Sequence, residues 1–143
     1  MNLLKVGREP VVIAPTANVM EAVGRMEQAN VGAILILEGD QLKGIFTERD
    51  LMLRVVRAGR DPQTTPLSEV MTSPVLTARS DMDADEVLRL MQEQHIRHIP
   101  VVSADGRVQA RISIRHLLRE KVEKLSQELD SLEAYTTADG IGG

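Results

Sequence analysis

Thr47 and Asp50 stand three residues apart, just after the apolar run Gly44-Ile45-Phe46, with Glu48 and Arg49 between them. A hydroxyl, a carboxylate and a guanidinium are gathered where a strand gives way to a helix. A threonine there caps the helix, because its hydroxyl accepts a bond from an otherwise unpaired N–H of the first turn. A carboxylate in the first turn is favoured by the helix dipole. Capping alone therefore accounts for both residues. The chain makes the same unit a second time, with Ser113 for Thr47, Arg115 for Arg49 and His116 for Asp50. The second copy has lost its carboxylate. His95 and His98 are a further pair at ligand-like spacing, but they straddle a helix end and a strand start. No cysteine or acid completes a metal set around them, and no metal is expected. The sequence holds no nucleophile–base pair and no phosphate-gripping Gly-Lys-Ser/Thr loop, so an enzyme is not expected.

The elements that position these residues follow from periodicity and punctuation. Val11-Val12-Ile13 is a short strand closed by Pro15, after a lead-in that runs through Glu9. Thr16 or Asn18 caps a helix carrying Met20, Val23 and Met26 at helical spacing. Gly32 to Leu37 is a buried strand, Glu38-Gly39-Asp40 a turn, and Leu42 to Thr47 the returning strand. A second helix runs from Glu48 to about Ala58. Residues 59–74, with Pro62, Pro66 and Pro74, predict a linker containing a short helical turn near Ser68–Met71. The order then returns: Val75-Leu76-Thr77, a helix over Asp83 to Gln94, Ile99 to Val102, a turn at Ala104-Asp105-Gly106, Val108 to Ser113, and a last helix from Ile114. Glu21, Met26 and Ile34 meet Glu86, Met91 and Ile99 at one constant shift, which lengthens by one residue after the second turn.

The expected fold is mixed α/β: two β-α-β-β-α units, packed sheet to sheet with pseudo-two-fold symmetry, each too small to bury its own faces. The units are placed at 6–58 and 75–122. Residues 123–143 form a C-terminal helix extension and a loose tail from Thr136. Leu118, Val122, Leu125, Leu129 and Leu132 make a coiled-coil-like seam on that helix. The seam serves packing on its own globule or pairing with a second chain.

Composition limits the function. The 143 residues are 43% hydrophobic, with seven methionines, no cysteine, and Phe46 and Tyr135 as the only aromatics. No disulfide framework or thiolate site is possible. The net charge of −4 falls mostly in the C-terminal segment. No clustered positive face marks a nucleic-acid binder. No apolar run reaches the ~20 residues of a membrane span, and the N-terminus lacks the apolar stretch of a signal peptide. A cytoplasmic protein is expected, without nucleic-acid or membrane partners.

Three stretches together resemble a tandem pair of cystathionine-β-synthase (CBS) domains, often called a Bateman module. These are the repeated element order, Gly44-Ile45-Phe46-Thr47-Glu48-Arg49-Asp50, and the pair Val70-Met71-Thr72-Ser73-Pro74 and His95-Ile96-Arg97-His98-Ile99-Pro100-Val101-Val102. The resemblance covers about residues 6–122. It implies a regulatory module that binds an adenosine-containing ligand, AMP, ADP or ATP, between the repeats. Thr47 and Asp50 would hold phosphate and ribose, because an ionised carboxylate accepts from both ribose hydroxyls and a helix N-terminus offers amides to phosphate. Ile45 and Leu76 would sandwich the adenine, with the main chain of Val75 and Thr77 nearby. Arg97, His98 and Arg115 would face the phosphates, at the entry to the strand that carries Pro100, with Arg49 as a further basic neighbour. Those cations favour a phosphate-bearing ligand over the sulfonium of S-adenosylmethionine. NADH is a variant of the same class. The second site would take Ser113 and His116 with Val11 and Val12, and has Gly32 and Ala33 where the first has Arg97 and His98. It is expected not to bind nucleotide in the usual way. The resemblance further implies a homodimer through the helices and an effector protein outside this chain. The alternative is a ligand-independent dimerisation scaffold.

Overall fold

The computed structural model describes residues 3–136. The chain forms α1 (Leu3–Val6), β1 (Val12–Ile13), α2 (Val19–Ala29), β2 (Ala33–Glu38), β3 (Gln41–Thr47) and α3 (Glu48–Asp50), which continues as a π-helical segment over Leu51–Val56. A 3-10 turn at Leu67–Glu69 leads to β4 (Ala78–Arg79), α4 (Ala84–Glu93), β5 (His98–Val102), β6 (Val108–Ser113) and α5 (Ile114–Thr136). The result is two three-stranded sheets, β1-β2-β3 and β4-β5-β6, each with one parallel and one antiparallel pairing. Both hairpins carry a bulge at corresponding places, at Ile36/Leu37 and at Val101/Val102.

Local chemistry accounts for the element ends. Of the two expected caps for α2, Asn18 is the one used: its side chain accepts from Glu21 N–H at 2.9 Å. Asp83 caps α4 in the same manner. Asn30 (φ 54°) and His95 (φ 55°) turn left-handed just after α2 and α4. His95 therefore has a helix-terminating role. The structure moves the first strand of the second repeat from Val75-Leu76-Thr77 to Ala78–Arg79, where Ala78 pairs with Val101 as Ile13 pairs with Ile36. The apolar run ends at Thr77, immediately before the two residues whose main chain pairs with β5.

Alternation along the strands divides the side chains between two layers. Ile34, Ile36 and Phe46 enter one core with Ile13, Val19, Ala22, Met26 and Val55, while Ala33, Leu35 and Ile45 point to the other sheet. Ile99, Val101 and Ile112 enter the second core with Val87, Met91 and Leu117. Val75 and Val108 close the layer between the sheets against Ala33, Leu35 and Ile45.

The two segments expected to be a lead-in and a linker are corresponding parts of the repeat, and the repeats exchange them. Leu3 and Val6 of α1 are buried in the second core. Leu67 and Val70 are buried in the first. Arg8 pairs with Arg111 of β6 in an antiparallel bridge, and Thr72 pairs with Ile45 of β3 in the same way. Burying a leucine completely stabilises by about 1.5–3 kcal/mol, so Leu3 and Leu67, both fully buried, hold these segments in place. The exchange also explains a difference between the repeats. A Cβ added to Gly44 would lie 2.8 Å from Met71 Cγ and 3.1 Å from Thr72 O, so a side chain there requires Met71 to move. At the matching place in the second repeat the bare residue is on the other segment, with Gly7 against Ala110.

After Leu117, α5 leaves the globule. Lys121 reaches Asp85 of α4 at 2.8 Å, but Leu118, Val122, Leu125, Leu129, Leu132 and Tyr135 are exposed. The expected seam is present and does not pack on its own globule. The tail beyond Thr136 lies outside the described residues.

Candidate functional site

At the end of β3, Thr47 is extended (φ −118°, ψ 168°) and α3 starts beside it in a reciprocal cap. Thr47 Oγ1 accepts from Asp50 N–H at 3.2 Å, and Asp50 Oδ2 accepts from Thr47 N–H at 3.0 Å and from the Thr47 hydroxyl at 3.2 Å. The other carboxylate oxygen, Oδ1, accepts from the Thr72 hydroxyl at 2.9 Å and lies 3.6 Å from Arg54 Nε. An ionised carboxylate has about four lone-pair positions, and three hydrogen bonds and one ion pair reach this one. Asp50 is 7% exposed, and such a charge is tolerated in a core only when bonded this completely.

Thr72 arrives from the exchanged segment. Its main chain bonds Ile45 in both directions, N–H to Ile45 O at 2.8 Å and O from Ile45 N–H at 3.0 Å. One residue earlier, Met71 O accepts from Arg54 Nη1 at 2.9 Å. The stretch Val70–Thr72 is thus strapped across β3 and the first turn of the following helix. Thr72 and Arg54 are the site residues that the sequence reading missed. Arg54 was accessible as the i+4 partner of Asp50. Thr72 belongs to the Val70–Pro74 motif, and nothing in the residue order gives it a role.

The remaining candidates are distributed as follows. Ile45 is buried against Ala33, Leu35 and Val75, while Leu76 is 40% exposed. Thr77 is half-buried and Arg49 is exposed. His98 stands across from the first repeat: a Cβ on Gly32 would lie 3.3 Å from His98 Nε2 and 3.3 Å from Glu48 Oε1. Burial holds the His98 imidazole below its ordinary pKa. Glu48 opposes that shift, and Arg111 and Arg97 add to it. Pro100 is buried opposite Arg111 in the sheet. Arg97 is exposed, and its carbonyl accepts from Ile114 N–H at 2.8 Å, as Gly32 O accepts from Glu48 N–H at 3.0 Å.

In the second copy, Ser113 Oγ accepts from His116 N–H at 3.2 Å and His116 Nδ1 accepts from Ser113 N–H at 3.4 Å. Arg115 is exposed beside it. Val11 is half-buried and Val12 exposed, on the same short strand. No group of three or more His, Cys, Asp or Glu residues suited to a metal occurs among the described residues. No helix among them is long and apolar enough to cross a membrane.

The CBS domain family model matches residues 5–57 and 67–123. The chain belongs to the CBS-domain family. The two matches begin close to α1 and at the Leu67–Glu69 turn, so each takes in the segment that packs on the opposite repeat. A CBS domain-containing protein of Bacillus subtilis, YhcV, is 38% identical over 96 residues, 67% of this chain and 68% of its own. Among solved structures, a CBS-domain protein from Burkholderia ambifaria superposes with a TM-score of 0.81 at 29% identity, over 86% of this chain and 95% of its own. A CBS domain protein from Pyrobaculum aerophilum, solved in complex with AMP, superposes with a TM-score of 0.74 at 24% identity, over 81% of this chain and 89% of its own. The last likeness is one of fold. This CBS pair carries one complete Thr–Asp unit and one Ser–His unit on the same scaffold.

Proposed function

We propose that this CBS pair is a regulatory module that takes one adenine nucleotide, AMP, ADP or ATP, at Asp50 and passes the occupancy to a partner protein through the exchanged segments. The observation that carries the reading is the buried Asp50 carboxylate, held by its own helix through Oδ2 and by Thr72 and Arg54 through Oδ1. The bonds on Oδ2 belong to the cap and persist with the fold. Those on Oδ1 come from side chains that can turn away. A ribose diol takes Oδ1 by replacing the Thr72 hydroxyl and the Arg54 guanidinium. Thr72 is then released, and its segment carries Leu67 and Val70 into the first core. Ligand binding at one repeat thereby changes the hold on the chain that leads into the other. The signal is bounded by the difference in ligand affinity between the held and released states. An adenine nucleotide is favoured because a neighbour of the same fold is an AMP complex and because Arg97 adds an exposed cation next to His98, whose ring stands across from Gly32 and Glu48. In this reading the module acts in the cytoplasm, and neither a metal nor catalysis enters its work.

Calorimetric titration of the intact chain with AMP, ADP and ATP tests the proposal, with Asp50→Asn as the control variant. The asparagine keeps an oxygen acceptor for the cap, so its thermal unfolding checks that it folds. The expected result is saturable binding near one per chain, lost in the variant. Absence of heat with all three nucleotides sinks the reading and directs the next titrations to S-adenosylmethionine and NADH.

A second reading has its own observation. The open leucine seam of α5 fits a homodimer that holds without ligand. Sedimentation of the intact chain, with and without nucleotide, separates the two: a ligand-independent dimer with no nucleotide binding leaves the scaffold as the function.

A further inference from the structure

α5 runs for 23 residues, whereas the corresponding helix of the first repeat ends at Val56. Its base is anchored: Leu117 is buried in the second core and Lys121 is bonded to Asp85 of α4. Beyond the base, Leu118, Val122, Leu125, Leu129 and Leu132 are each between 43% and 64% exposed. Their spacings of four, three, four and three keep all five on one stripe. A single exposed leucine needs no account, but a continuous apolar stripe marks a surface that is covered in use. A free helix this short is marginal in water. Anchoring at the base means that a partner meets a helix already formed.

The charges beside the stripe indicate what covers it. Such flanking positions set partner and orientation in paired helices. Along one edge lie Arg119, Ser126 and Glu133, and along the other Lys121, Glu128 and Tyr135. Arg119 and Glu133 stand at opposite ends of the first edge, and both are exposed. Neither forms an ion pair within the chain among the described residues. An edge that is positive at one end and negative at the other is complementary to its own reversed copy. In the reversed register Leu125 lies opposite the partner's Leu129, and Val122 opposite the partner's Leu132. Arg119 then lies beside the partner's Glu133, and two-fold symmetry makes that pair twice. One like-charge contact remains at the centre, between Glu128 and the partner's Glu128. Lys124, four residues before Glu128 on the same helix, offsets it. Pairing in the same direction is worse. It sets Glu128 against the partner's Glu133 twice and gives Arg119 and Lys121 no acidic neighbour.

We propose that α5 pairs with α5 of a second copy of this chain in antiparallel register, with Arg119 beside the partner's Glu133. The proposal rests on the homodimer of the second reading and gives it a register. It needs no ligand at Asp50.

Sedimentation equilibrium of the intact chain and of variants at exposed α5 positions is the test. The wild-type chain is expected to self-associate reversibly, and Leu129→Ser, at the central layer, to abolish that association. Arg119→Glu and Glu133→Arg are each expected to weaken it about tenfold at low salt, because two attractive pairs become two repulsive ones. The double variant, which restores both pairs with their signs exchanged, is expected to recover wild-type association. The differences shrink as salt rises. Leu129→Ser keeps the fold if its thermal unfolding matches wild type, as an exposed position should. No self-association, or association that Leu129→Ser leaves unchanged, overturns the proposal together with the reading of the seam as a homodimer surface. Association that Leu129→Ser abolishes but Glu133→Arg tightens overturns the antiparallel register and leaves the homodimer standing, since that substitution relieves Glu128 only when the helices run in the same direction.

Discussion

Thr72→Val removes one hydroxyl and keeps the branched shape of the side chain. In the wild-type protein that hydroxyl donates to Asp50 Oδ1 at 2.9 Å. The acceptor is an aspartate that is 7% exposed, so solvent cannot readily replace the bond. Hydrogen bonds to charged groups contribute about 1.5–3 kcal/mol, and a buried acceptor left short of a donor costs a similar amount. A loss of about 2 kcal/mol is therefore expected, which lowers the urea midpoint by about 1 M for a domain of this size. Nucleotide affinity should move the other way. If a ribose displaces Thr72, the wild-type protein must break this bond on binding and the variant need not. A gain of about tenfold or more in affinity follows, since 1.4 kcal/mol is a factor of ten. Urea unfolding followed by circular dichroism and calorimetric titration with AMP measure the two effects on the same samples. An unfolding free energy within about 0.5 kcal/mol of wild type, the scatter of ordinary surface substitutions, would refute the structural half of the reasoning. Weaker nucleotide binding by the variant would refute the displacement half, because Thr72 would then be a ligand contact.

Two further outcomes are expected. Gly44→Ala forces its Cβ onto Met71 Cγ and Thr72 O and should destabilise by about 1–3 kcal/mol, the usual cost of overpacking; adding Met71→Gly copies the Ala110 and Gly7 arrangement of the second repeat and should recover much of that loss in urea unfolding. Burial, with the neighbouring arginines, holds His98 and His116 below the ordinary histidine pKa, so the unfolded chain binds more protons near the ordinary value of about 6.5. Stability should be fully present above that pH and decline as the pH falls through the depressed folded-state values, and His98→Gln with His116→Gln should flatten the decline in melts taken between pH 8 and pH 5.

Much of this molecule is legible in one dimension. The apolar periods of α2, α4 and the central strands, the cap at Asn18, the turns, and the Thr47–Asp50 unit all rest on interactions within a few residues, and such interactions leave a local pattern. The repeat doubles that pattern, which is why both sheets and the unequal capping units can be read from residue order. What escaped is what depends on which segment lies against which. α1 and the Leu67–Glu69 turn are too short to show a period of their own, and their leucines acquire meaning only once each is buried in the opposite core. That exchange brings Thr72 to Asp50, sets Met71 against Gly44, and lays Arg8 beside Arg111 from the far end of the chain. The same packing determines that Val75, and not Leu76, covers Ile45. Residue order carries two units and the capping pair of each; what already occupies Asp50, and the meeting of Arg8 with Arg111, come from packing, because those contacts join residues whose separation along the chain carries no signal.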